Sequence, residues 1–154
     1  MANAVSTAGI IVKWAAESTL GSRPTTGYAQ IPGVKSIPEL FNDPNLIQST
    51  PLSATKNHTF IEGLAGGDGN IAFTVNDENL FRAAWSSCIT AYEALTDGKQ
   101  IWFEIAYGDS SMDSFYFPGK PLPLGFGGAE VDSVLENNMN IAPQGDFMFA
   151  TAST

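Results

Sequence analysis

Residues 76–98 are the one clear stretch in which apolar side chains return at the 3.6-residue period of a helix, set among segments that alternate at period two. The stripe is Leu80, Phe81, Ala84, Trp85, Cys88, Ile89, Tyr92 and Leu95, with Glu78, Arg82, Ser86 and Glu93 turned away from it. Asn76 or Asp77 is placed to cap the N-terminus. The Asp97-Gly98 pair is placed to end the helix, with Gly in the left-handed position. A single one-sided helix cannot bury its stripe alone, so it must pack on a sheet.

The strands of that sheet are expected at residues 9–15, 28–37, 52–64, 70–75, 99–107, 112–118 and 131–141. Pro32-Gly33 interrupts the second of these, marking an edge or a bulge, because proline has no N–H for a ladder. Gly108-Asp109-Ser110-Ser111 joins the fifth and sixth as a hairpin, whose core anchors are Phe103, Phe115 and Phe117. Residues 38–51, with Pro44 and several Asn, Asp and Ser, form a long excursion, and the tail 143–154 shows no period. The expected fold class is α+β, mainly β: one domain over residues 1–154, a β-sandwich or barrel of about seven strands with one flanking α-helix.

Charged residues make up 15% of the 154, well below the quarter usual in soluble domains, while 44% are apolar. So little charge implies that neighbours cover much of the folded surface. A net charge of −9 opposes general affinity for nucleic-acid phosphates. Cys88 has no second cysteine to pair with, and residues 1–16 fit neither a signal peptide nor a membrane helix, so synthesis in the cytosol is expected.

Each catalytic or metal-binding pattern in the sequence has a plainer alternative. His58 is the only histidine and has no nucleophile elbow beside it, so it reads as a strand or interface residue. Cys88 sits on the apolar stripe and reads as a small core hydrophobe. Gly125-Phe126-Gly127-Gly128 lacks the following helix that would hold a phosphate and reads as a backbone bend. Gly66-Gly67-Asp68-Gly69 is one copy of a calcium repeat that needs several, hence a turn, and the sequon at Asn57 is read as chance. Glu130, Asp132 and Glu136 could supply a glycosidase-like acid pair, but read better as solvated residues of the last strand. No cofactor, metal ligand or catalytic residue is expected.

Three segments carry a resemblance: residues 1–15 (MANAVSTAGIIVKWA), 27–38 (GYAQIPGVKSIP) and 125–136 (GFGGAEVDSVLE). In order, spacing and total length the chain resembles the tail tube, or major tail, proteins of long-tailed phages. The resemblance implies a homohexameric ring, rings stacked into a hollow conduit for DNA delivery, and a place in the virion tail after assembly in the host cytoplasm. It implies further partners, a tape-measure protein and tail-end proteins, with DNA passing without specific binding and no membrane contact. The alternative on the same fold is the inner tube of a contractile tail or of a type VI-like secretion system. In such proteins a long loop reaches the next ring. Residues 38–51 match it, with Leu40, Phe41, Leu46 and Ile47 as the contacts.

The inner wall is expected on the strand 131–141. Its alternation sets Val131, Ser133, Leu135, Met139 and Ile141 toward the core, with Asn137 as the exception, and Asp132, Glu136, Asn138 and Asn140 toward water, with Val134 as the exception. Asp132 and Glu136 facing a channel would repel phosphates and let DNA slide. Ser53, Thr55 and Asn57 could join this lining.

Overall fold

The computed structural model describes residues 8–40, 70–108, 111–145 and 147–153, and the backbone of 44–48 and 60–65. The chain runs β1 (Ile11–Ala16), β2 (Ala29–Ile31), β3 (Val34–Ser36), β4 (Pro44–Gln48), β5 (Phe60–Ala65), β6 (Ile71–Asn76), α1 (Asn79–Glu93), β7 (Ile101–Ala106), β8 (Ser114–Pro121), β9 (Glu136–Pro143) and β10 (Met148–Ala150). The class is α+β and mainly β, as expected. Strands β2-β1-β7-β8-β9-β6-β3 form one antiparallel sheet in that order, β10 adds to β8, and β4 pairs with β5 in a separate two-stranded sheet.

The sheet is curled, and Pro32-Gly33 shows why. β2 and β3 end opposite sides of the strand order, yet only these two residues separate them. Three Cα steps of 3.8 Å reach at most about 11 Å, so the two edges must come together. Residues 29–36 thus act as one extended stretch that pairs with β1 through its first half and with β6 through its second. Gly33 takes φ +83 at the switch, and its carbonyl accepts the Asn76 N–H at 2.8 Å. Proline suits the preceding position, where no ladder N–H is required.

The core fills the concave side of this sheet. Phe103 and Phe117 stack at 5.4 Å, Trp85 meets Phe103 at 6.3 Å, and Phe73 meets Phe117 at 6.4 Å. All four are essentially inaccessible to water; each buried aromatic of this kind contributes about 1.5–3 kcal/mol. The expected anchors Phe103 and Phe117 are central. Phe115 is only partly buried, and packs with Phe147 and Phe149.

Several boundaries differ from the expectation. α1 begins at Asn79 after an extended N-cap, Glu78, and no side chain caps it. Asn76 is unavailable because it completes β6 opposite Glu136. Asp77 instead takes two bonds from the Arg82 guanidinium, at 2.5 and 2.7 Å, which hold its carboxyl below the usual range. At the other end the helix stops at Glu93. Asp97 and Gly98, at φ 60 and 77, form a later turn into β7. Leu80, read as part of the stripe, is 71% exposed. β8 runs on through Pro121, and Gly119 makes this possible: a Cβ there would lie 2.5 Å from Ile141 Cγ2.

Candidate assembly surfaces

The last long strand begins later than its alternation suggests. Residues 131–135 lie in an exposed loop, Asp132 has φ 59, and Val131 is 89% exposed, so neither Val131 nor Leu135 belongs to the core. Tertiary bonds claim this segment: the Leu135 carbonyl accepts the Asp77 N–H at 3.0 Å, and Gly127 approaches Glu136 so closely that a Cβ would lie 2.4 Å from its carbonyl oxygen. From Glu136 onward the alternation holds. Asn137, Met139 and Ile141 are buried, and Glu136, Asn138 and Asn140 share the opposite face with Asn76, Thr74 and Ala72, their register partners on β6.

This arrangement corrects the strand placement expected of Asp132. Asp132 is off the strand and does not share that face, and Glu136 is paired with Lys35 at 3.0 Å. The face therefore presents amides, a hydroxyl and one compensated carboxylate. Ser53, Thr55 and Asn57 lie outside the described residues.

Exposed apolar side chains concentrate on the loop before β9. Phe126 is 75% exposed, and Val134 and Leu135 are also accessible. The base of this loop is pinned. Asn137 Nδ2 donates to the Gly125 carbonyl at 2.7 Å, Leu122 N donates to the Asn140 carbonyl at 3.1 Å, and Trp85 Nε1 donates to the Leu122 carbonyl at 2.9 Å. Gly125-Phe126-Gly127-Gly128 lies in irregular backbone with no helix after it, and Gly128 takes φ +90.

The excursion at residues 38–51 contains strand β4, whose five residues, with Pro44 at the start and Leu46 and Ile47 adjacent, show no alternation. Leu46 and Ile47 stand opposite Glu62 and Ile61 of β5 in the backbone register. Phe41 lies outside the described residues. Leu40 packs, partly buried, against the core of its own chain. It also lines a groove of about 660 Å³ with Ile10, Val34, Ile37, Phe115 and Phe149.

The tail is ordered, contrary to its lack of period. β10 pairs with β8 through Met148 and Tyr116, Phe149 and Phe115, and Ala150 and Ser114. Beyond it, Glu104 clamps the chain end. This fully buried carboxylate accepts the Ser153 N–H at 3.0 Å, the Ser153 hydroxyl at 2.5 Å and the Tyr116 hydroxyl at 2.9 Å. Burial alone would raise its pKa, but these donors outweigh burial and hold it below the ordinary carboxylate range. Tyr116 is pushed up to about 12 by burial and by Glu104, and the Arg23 guanidinium lies 4.2 Å over its ring. Glu104 gave no signal in the sequence, because a lone carboxylate on a strand reads as solvated.

Of the remaining candidates, His58 lies outside the described residues. Cys88 is buried, and burial raises its thiol to about 12. Among the described residues no group of three or more His, Cys, Asp or Glu is placed to hold a metal, and no helix is long and apolar enough to cross a membrane.

No family model matches the chain, and no curated protein matches it. Among solved structures it is similar to a chain of the anti-feeding prophage baseplate, in a cryo-EM structure symmetrised sixfold. The TM-score is 0.67 and the identity 11%, and the match covers 100% of both chains. At that identity the likeness is one of fold, extending from end to end.

Proposed function

We propose that this chain is the structural subunit of a phage-type tail tube, closing into rings of six that stack into a conduit for DNA, and that it has no catalytic role. The observation that carries this reading is the full-length fold likeness to a chain of a sixfold prophage baseplate.

In this reading β4–β5, a two-stranded sheet too small to be stable unaided, is the inter-ring projection. The face of Glu136, Asn138 and Asn140 lines the channel. Its Lys35 is paired with Glu136, and the net charge of −9 per chain opposes phosphate binding. A tape-measure protein and tail-end proteins are the further partners, and the virion tail is the location. The second reading, the inner tube of a contractile tail or secretion apparatus, draws on the same fold likeness.

Purified protein concentrated and viewed by negative-stain microscopy should show rings and tubes of uniform diameter. A chain that remains monomeric at high concentration by size exclusion overturns the proposal.

A further inference from the structure

We propose that the pinned loop at residues 124–135 of one copy seats in the apolar groove of a second copy, so that two different surfaces of the same chain meet. The inference rests on the self-assembly reading and names the surfaces that make the contact.

Consider first what the loop holds outward. Phe126, Val131 and Val134 are 75, 89 and 65% exposed, so the chain itself does not cover them. Yet the loop is not loose: the bonds to Gly125, Leu122 and Leu135 fix its base, and Gly127 fits only because it lacks a Cβ. An apolar knob fixed in advance loses little conformational freedom on docking. Isolated apolar residues on a surface need no explanation, but several on one rigid loop mark an interaction site.

The groove supplies the complement. Its walls are Ile10, Ile37, Leu40, Phe115 and Phe149, and its volume of about 660 Å³ admits several side chains. Charge complements shape. Residues 121–154 contain no Lys or Arg, and the knob carries Glu130 and Asp132 beside Val131. The charged residue lining the groove is Lys35, exposed and held only by a surface ion pair to Glu136. An arriving carboxylate can share that ammonium. Knob and groove are different surfaces, so their contact is heterologous, the kind that closes into a ring or propagates as a helix.

The test uses disulfide trapping, which Cys88 does not confound because it is buried and its thiol is pushed up to about 12. Val131→Cys and Phe149→Cys are made as separate full-length proteins, both at exposed positions, and mixed under mild oxidation at a concentration that gives assemblies. The mixture should give a crosslinked heterodimer at least about tenfold above Val131→Cys mixed with Ser86→Cys on the outer helix face, since only Cα atoms within about 7 Å can be bridged. Independently, Phe126→Ser with Val131→Asp should raise the concentration needed for assembly about tenfold or more while circular dichroism is unchanged. Rings or tubes without the heterodimer overturn this pairing and leave self-assembly standing. Dominant Val131→Cys homodimers overturn it in favour of loop meeting loop across a two-fold axis. Failure of the unmodified chain to assemble at any concentration overturns the self-assembly reading, and this inference with it.

Discussion

Gly119→Ala probes the junction on which the sheet depends. In β8, Gly119 stands between Ile101 of β7 and Pro143 of β9. A Cβ added there would lie 2.5 Å from Ile141 Cγ2, 3.3 Å from the Ala142 carbonyl oxygen and 3.5 Å from Phe103 Cε2. The first distance is well inside van der Waals contact. Ile141 is fully buried and cannot swing aside, so either its rotamer or the β8–β9 spacing must give. Overpacking of this kind costs about 1–3 kcal/mol. At about 2.1 cal/mol/K per residue of unfolding entropy, 2 kcal/mol lowers the Tm of this chain by about 6 °C. Thermal unfolding should be followed by circular dichroism below the assembly concentration, because association would add its own stabilisation. Ile141→Leu supplies the control: it removes the Cγ2 branch at nearly constant volume, for less than about 1.5 kcal/mol. If the clash is the cause, the double variant Gly119→Ala with Ile141→Leu is more stable than the sum of the two losses by about 1 kcal/mol. Strict additivity refutes the reasoning, and so does a Gly119→Ala protein as stable as the parent.

Three further outcomes follow from named contacts. Glu104 has its folded pKa held below the ordinary range, so the stability it contributes is present above that range and is lost as pH falls through the folded value. Protease sensitivity of residues 147–153 should therefore rise on acidification, and Glu104→Gln, at a cost of about 1–3 kcal/mol, should make the tail sensitive already at neutral pH. Replacing Phe41 and Leu46 together with Ser should block stacking of rings yet leave the circular dichroism of the domain unchanged; unimpaired tubes would refute their assignment to the ring–ring contact. Asn138→Lys with Asn140→Lys should leave tubes intact but slow DNA passage, most at low salt, because ammonium groups on the channel wall bind phosphate. Passage at the parent rate would place that face outside.

How far the fold could be read from the sequence depended on whether the deciding interactions were local. The pattern Ile71, Phe73, Val75 alternates because one face of β6 is buried, whereas β7 and β8, buried on both faces over most of their length, announce themselves through the core aromatics Phe103 and Phe117. The helix showed its stripe for the same reason. Its N-terminal end did not, because it was decided at a distance: Asn76 was claimed by pairing with Glu136 of β9 and the Asp77 N–H by the Leu135 carbonyl. β10 was invisible, since a three-residue strand has too few positions to display a period, and its place is set by Phe147 and Phe149 packing on Phe115. Pro32-Gly33 marked an interruption correctly. That it also closes the curl could be seen only from the strand order.

The candidate surfaces illustrate the same limit from the other side. Val131 to Leu135 alternate as a strand would, but alternation records only which residues could be buried together and says nothing of a competing partner. Here the competing partners are the Asp77 N–H and the Gly127 backbone, which hold the segment as a loop and turn its apolar side chains outward. The strand placement behind an acidic wall changes by the same cause, since Asp132 leaves the strand, while Glu136 meets Lys35. The remaining charge argument rests on the whole chain. Net charge acts over roughly a Debye length, about 8 Å at physiological salt, and does not require particular carboxylates on the wall. In the proposed conduit, chains carrying −9 each disfavour phosphate, and a wall of Asn138, Asn140 and Thr74 adds no cation of its own to hold it. Introducing lysines at Asn138 and Asn140 is therefore the decisive perturbation of that reading.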